Sequence, residues 1–143
     1  MITVKQILDE KGSSAWTIVP DAKVIDALKL MAEKEVGALI VMEGEEIVGI
    51  ISERDYARKI ILKGRHSQDT PVRDIMSTHI YGVNLDTTVD ECMALMTDKR
   101  MRHLPVCKDG RLAGIVSIGD VVKLKLALAE SEAAQMRQYL SAG

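Results

Sequence analysis

Two stretches of the chain place apolar residues at helical spacing: Val24, Ala27, Leu28 and Met31, then Val89, Cys92, Met93 and Met96. Each reads as a helix with one apolar face. Asp21 and Asp86 lie just ahead of these helices as start signals, and Thr88 can serve the same purpose. A short apolar run follows each helix, Ala38 to Met42 in one case and Leu104 to Cys107 in the other. The next residues, Glu43-Gly44-Glu45-Glu46 and Lys108-Asp109-Gly110-Arg111, read as turns. Asp109-Gly110 suits a tight hairpin, because glycine tolerates positive φ. Further strands are expected at Ile47 to Ser52 and Leu112 to Ser117, with second helices beginning near Glu53 and Ile118. Short strands at Thr17 to Val19 and Tyr81 to Asn84 complete the pattern. Each half then runs strand–helix–strand–strand–helix, with one parallel pair and one hairpin. The fold class is α/β (α+β), two β-α-β-β-α repeats related by a pseudo-two-fold axis.

The halves are one pattern written twice. Gly49-Ile50-Ile51-Ser52-Glu53-Arg54-Asp55 returns as Gly114-Ile115-Val116-Ser117-Ile118-Gly119-Asp120, 65 residues later. Two such units that cannot each bury a full core bury one together. Val4-Lys5-Gln6-Ile7-Leu8 and Val72-Arg73-Asp74-Ile75-Met76 are matching lead-in segments, offset by 68 residues rather than 65. The expected boundaries are 1–65 for the first repeat with its lead-in, 66–70 for a linker and 71–126 for the second repeat, with a helical extension over 127–143. From Asp120 to Leu140 there is no proline or glycine, and Val121, Leu124, Leu128, Met136 and Leu140 can share one helical stripe. That stripe reads either as a solvated tail with a modest apolar face or as a dimer contact.

A chain of 143 residues is long enough to build a hydrophobic core without staples. Its 47% hydrophobic and 28% charged residues fit a soluble globular protein. A net charge of −2, with Trp16 and three tyrosines as the aromatic complement, argues against nucleic-acid binding. Cys92 and Cys107 read as reduced, largely buried thiols. No signal peptide opens the chain and no apolar run approaches the ~20 residues that span a bilayer, so no membrane association and a cytoplasmic location are expected. His66, His79 and His103 show no metal-ligand spacing, and no nucleophile–base pair stands out, so neither a metal nor enzymatic activity is expected.

Ser52-x-x-Asp55 and Ser117-x-x-Asp120 are close to capping boxes, with serine as N-cap and an acid three residues on. Capping is a sufficient reason for either one alone. A helix start also offers unpaired N–H groups to an anion, and a carboxylate matches a vicinal diol. Arg54, Arg58 and Lys59 follow at once, and Arg102 and His103 precede the second apolar strand. An arginine fork suits phosphate.

A tandem of helix, apolar strand, hairpin and Gly-hydrophobic-hydrophobic-Ser-x-x-Asp resembles a pair of CBS (cystathionine-β-synthase) domains, the assembly called a Bateman module. The resemblance covers roughly Val4 to Leu126, and the second lead-in ends in Asp74-Ile75-Met76. It implies regulation through an adenosyl ligand, AMP, ADP, ATP, NAD or S-adenosylmethionine, held in clefts between the repeats. It assigns Asp55 and Asp120 to ribose hydroxyls, with Ser52 and Ser117 near ribose and phosphate. It assigns Thr17, Ile18, Ala38, Leu39, Gly82, Val83, His103, Leu104 and Pro105 to the base. It also implies a homodimer and a separate, unidentified protein partner that reads the ligand-dependent change.

The repeats are not equivalent. Ile40 matches Pro105, Gly37-Ala38 matches Arg102-His103, and Arg54 matches Gly119. Unequal clefts are therefore expected. Arg54, Arg58, Lys59 and Arg65 exceed what a monophosphate needs and favour a ligand with two or more phosphates, such as NAD or ADP. The alternatives are a structural dimeric adaptor with vestigial clefts and, behind it, a nucleotide-processing enzyme.

Overall fold

A computed structural model describes residues 1–142; Gly143, the last residue of the expected extension, lies outside the described residues. The first repeat contains β1 (Thr17–Ile18), α2 (Val24–Lys34), β2 (Ala38–Glu43), β3 (Glu46–Ser52) and α3 (Glu53–Tyr56), the last running into a π-helical turn over Ala57–Ile61. The second contains α4 (Val89–Lys99), β4 (His103–Lys108), β5 (Arg111–Ser117) and α5 (Ile118–Ala142). Ahead of the repeats lie α1 (Val4–Lys11) and a 3-10 turn (Val72–Asp74).

Both hairpins form with one register. Ala38 faces Ser52 and His103 faces Ser117, and each ladder shifts at the equivalent place, after Val41 and after Val106. Asp109 and Gly110 both take positive φ, 53° and 77°, as a two-residue hairpin loop requires. α2 and α4 each end on a left-handed residue, Glu35 and Arg100. Lys34 lies 4.3 Å from the Trp16 ring centroid and Lys99 lies 5.2 Å from that of Tyr81, a cation–π contact made twice.

The parallel strand is where the copies part. β1 pairs with β2 through Thr17–Ile40 and Ile18–Val41. The strand expected over Tyr81 to Asn84 shrinks to a single bridge, Val83–Val106. The cause is Pro105. In the first repeat the Ile40 N–H donates to the Trp16 carbonyl at 3.0 Å, and proline has no N–H for the matching bond. Helix starts also divide. Thr88 caps α4, its hydroxyl accepting from the Glu91 N–H at 3.1 Å, whereas Lys23 stands at the N-cap of α2 with no side-chain bond. Asp21 does not cap α2; it accepts from Arg73.

The lead-ins cross over. Val72 and Ile75 are buried with Val24, Ala27, Met31, Leu39, Val41 and Ile51 of the first repeat. Val4, Ile7 and Leu8 of α1 are buried with Val89, Cys92, Met96, Leu104, Val106 and Val116 of the second. The same hydrogen bonds dock both. Val4 N–H donates to Thr87 at 2.8 Å and Lys5 to Leu85 at 3.0 Å; Val72 donates to Ala22 at 2.7 Å and Arg73 to Pro20 at 3.0 Å. Between the sheets lies a third cluster, Ala38, Ile40 and Ile50, with Ile80, Leu112 and Ile115 against it. Burial, followed by the charge of Glu91, pushes the Cys92 thiol up to about 11, so it stays protonated in the core.

α5 is buried only at its start. Val121 is 2% exposed and Leu124 packs on the core, but Leu126, Met136, Tyr139 and Leu140 are exposed. Among the described residues no helix is long and apolar enough to cross a membrane.

Gly49 lies against the second lead-in. A Cβ there would sit 2.7 Å from the Met76 sulfur and 2.9 Å from the Ser77 carbonyl oxygen. At Gly114 the nearest atoms would be those of the Leu8 side chain, at 3.0 Å. Gly49→Ala is expected to destabilise by about 1–3 kcal/mol, because backbone cannot yield as a leucine tip can. Gly114→Ala is expected to cost less; urea unfolding of the two variants checks the order.

Candidate functional site

The hairpin and helix geometry brings Ser52 and Ser117 to the ends of β3 and β5, each at the start of the following helix. Both capping boxes form. The Ser52 N–H donates to Asp55 Oδ2 at 2.9 Å, the Ser52 hydroxyl lies 3.0 Å from the same oxygen, and the Asp55 N–H donates back to Ser52 Oγ at 3.3 Å. In the second copy the Ser117 N–H donates to Asp120 Oδ2 at 2.8 Å and the Asp120 N–H to Ser117 Oγ at 3.2 Å. The main chain ahead of each strand is tied to the same turn: Glu53 N–H donates to Gly37 at 3.1 Å, and Ile118 N–H to Arg102 at 2.8 Å.

A cavity of about 390 Å³ opens between the repeats, within the range of small-ligand sites. Ile50, Ser52, Glu53, Arg54, Asp55, Arg58 and Lys59 line it from the first repeat. Arg100, Met101, Arg102 and His103 line it from the second, with Gly37 and Ser77 completing the wall. Five side-chain cations thus face two carboxylates. Lys59 is paired with Asp55 at 3.2 Å and donates to the Ile75 carbonyl at 2.8 Å. Among the described residues none of the four arginines forms an ion pair. Arg58, then slight desolvation, then Arg102 hold the Arg54 pKa below its ordinary value against the opposing pull of Asp55.

Of the residues singled out in the sequence, Ser52, Arg54, Asp55, Arg58, Lys59, Arg102 and His103 meet in this cavity. Arg65 does not; it pairs with Asp74 at 3.0 Å. Leu39, Val83 and Leu104 belong to the two cores, and Ala38 and Pro105 are buried. Thr17 and Ile18 form β1 beside β2, and Gly82 packs near Cys107 and the Pro105 carbonyl. Ser117 and Asp120 stand apart from the cavity walls. Asp120 is held by Lys11 at 2.7 Å. Burial pushes the Asp120 carboxyl up, but hydrogen bonds from Lys11 and Ser117 and the Lys11 charge outweigh it and leave it below the ordinary carboxylate value.

Sequence reasoning missed Gly37, Ile50, Glu53, Ser77, Arg100 and Met101 as residues of the site. Arg100 carried a faint signal, being the counterpart of Glu35 at the helix end next to Arg102. Among the described residues no group of three or more His, Cys, Asp or Glu side chains is arranged to hold a metal ion.

Burial is the main reason the His103 pKa falls below its ordinary 6.5, aided by Lys11 and Arg102 and opposed by Asp120 and Asp55. The unfolded chain therefore binds a proton at His103 before the folded one does. Its contribution to stability is complete above pH 6.5 and is lost as pH falls below that value. His103→Gln is expected to flatten the pH dependence of the melting temperature below pH 6.5; an unchanged slope counts against this burial.

Comparison with known proteins gives this arrangement a lineage. The CBS domain family model matches residues 1–62 and again residues 72–127. The chain is 42% identical over 151 aligned residues to the mitochondrial CBS domain-containing protein CBSX3 of Arabidopsis thaliana, covering 99% of this chain and 73% of that one. It is 30% identical to the CBS domain-containing protein YhcV of Bacillus subtilis, covering 82% and 84% of the two. Among solved structures, the CBS domain protein NE2398 superposes with a TM-score of 0.83 at 46% identity, covering 87% of this chain and 97% of its own. The CBS domain pair of MJ0100, in complex with 5′-methylthioadenosine and S-adenosyl-L-methionine, shares the fold at 22% identity and a TM-score of 0.79, with 89% and 98% covered. Two matches of one family model, on two repeats that exchange their lead-ins around a shared cleft, establish that this chain belongs to the CBS domain family as a tandem pair, a Bateman module.

Proposed function

We propose that this module is a cytoplasmic sensor that binds an adenosine nucleotide carrying two or more phosphates, of the ADP or NAD kind, in the Asp55 cleft. The observation that carries the reading is the convergence of Arg54, Arg58, Arg100 and Arg102, without ion-pair partners among the described residues, on one cavity that also holds Asp55. Unpaired guanidinium groups gathered from two repeats are a receptor for phosphate oxygens. Asp55 supplies the acceptor for a ribose diol. Its pair with Lys59, at 3.2 Å, is one that a ribose hydroxyl shares or displaces on binding. Ile50 and Met101 offer apolar walls to a base, and His103, kept neutral by burial, offers one donor and one acceptor. MJ0100, of the same fold, holds adenosyl compounds.

The work of such a site is regulation rather than catalysis, since binding needs no nucleophile. The ligand biases the arrangement of the repeats only through a difference in affinity between two states, and a separate protein reads that bias. The exposed apolar residues of α5, Leu126, Met136 and Leu140, are the proposed contact of a homodimer.

A thermal-shift screen against AMP, ADP, ATP, NAD, NADH and S-adenosylmethionine tests the reading. At a ligand concentration of 100 Kd, native-state binding stabilises by about 2.7 kcal/mol, several degrees for a chain of this size. ADP or NAD is expected to shift the melting temperature more than AMP at equal concentration. Arg54→Ala and Arg102→Ala should each weaken ADP at least tenfold, in line with about 1.5–3 kcal/mol for a charged hydrogen bond, and AMP less. Absence of any shift at millimolar concentration would turn the reading to a dimeric adaptor with vestigial clefts.

A further inference from the structure

We infer that Lys11 closes the second cleft from within, so that each chain takes up one nucleotide, at Asp55, and none at Asp120; this rests on the nucleotide-binding reading above. The geometry comes from the repeat. Ile50 and Asp55 both line the open cavity. Their counterparts 65 residues on are Ile115 and Asp120. The Lys11 ammonium spans that pair, donating to the Ile115 carbonyl at 2.9 Å and to Asp120 Oδ2 at 2.7 Å. In the first repeat the equivalent carbonyl, Ile50, accepts instead from the Ser77 N–H at 2.8 Å, and the space beside Asp55 stays open.

The difference lies in the lead-ins. The second leaves its 3-10 turn after Asp74, and Ser77 forms an antiparallel bridge with Ile50. The first continues as α1 to Lys11, and the lysine side chain replaces the backbone donor. α1 is fixed by Val4, Ile7 and Leu8 in the core, and Leu8 lies against Gly114, so the ammonium is delivered by a rigid element. The two side chains are 30% and 22% exposed. Attraction at that depth exceeds that of a fully solvated pair. Asp120 has no lysine four residues on along its own helix, because Leu124 stands where the first repeat has Lys59.

The phosphate end agrees. The counterparts of Arg54, Arg100 and Arg102 are Gly119, Glu35 and Gly37, and only Arg58 is matched by a cation, Lys123. Both ribose acceptors thus meet a lysine, but Lys59 belongs to the helix of Asp55 and lines the open cavity at 3.2 Å, whereas Lys11 comes from the other lead-in and sits at 2.7 Å, and the second cleft has a carboxylate where a phosphate would need an arginine.

Calorimetric titration of the full chain with ADP, and separately with S-adenosylmethionine, which carries the same diol without phosphate, reads the stoichiometry. One ligand per chain is expected for the wild type, abolished by Asp55→Asn. Lys11→Met keeps the apolar stem and is expected to raise the stoichiometry to two for at least one of the ligands, returning to one in Lys11→Met/Asp120→Asn. Two ligands on the wild type overturn the inference. So does one ligand on Lys11→Met with a wild-type melting temperature, and the nucleotide reading then survives. Binding by neither protein overturns both.

Discussion

Everything in this module hangs on the exchange of its lead-ins. Val72 and Ile75 fill the first repeat's core although they precede the second, and Val4, Ile7 and Leu8 fill the second repeat's core although they precede the first. A strand pair and one helix of this size cannot enclose a core, since small units bury too little of their surface. Each repeat lacks one wall, and the other repeat's leading segment provides it. Separation of the repeats would strip both cores at once, which makes the pair the unit of stability and holds the cleft between them in register.

That coupling explains why one scaffold presents two unlike faces to ligand. Backbone positions are copied with fidelity, down to the ladder shifts after Val41 and Val106 and the docking bonds of the lead-ins. Side chains facing the clefts are not copied. Pro105 deletes a donor and shortens the parallel pair, and Lys11 reaches a carbonyl that Ser77 serves in the other half. The fold demands symmetry only of the atoms that pack and pair, so the cleft residues are free to diverge.

The same division decides what could be read in the sequence. Period, hairpins, capping boxes and helix faces are local, so Ser52, Asp55 and the Asp109-Gly110 turn were legible from neighbours a few residues away. The repeat offset even revealed that the clefts differ. The crossing of the lead-ins was not legible, because Val4-x-x-Ile7-Leu8 is equally apolar against either core. Nor was Lys11: it stands 109 residues from Asp120, and a lysine at a helix C-terminus has a sufficient local reason in the helix dipole. Arg65 failed in the opposite direction, close to the cluster in sequence yet drawn off by Asp74. The Tyr81 strand failed because its partner's proline acts across space.

The open cleft carries its own tension. Arg54 and Arg58 come from the first repeat, Arg100 and Arg102 from the second, and the depressed Arg54 pKa records repulsion by Arg58 first and, across the repeats, by Arg102. The Arg102 part of that repulsion acts across the boundary between repeats, against the apolar contact of Ile40, Ile50 and Ile115. Like charges so placed favour separation, and an anion between them reverses the sign of the interaction. On the proposed reading the phosphates therefore do more than anchor the nucleotide. They convert a repulsive seam into an attractive one, and the exchanged lead-ins, each rooted in the opposite core, carry that change to both halves of the chain. On that reading a monophosphate answers fewer of the four guanidinium groups than a diphosphate does, and so offsets less of the repulsion.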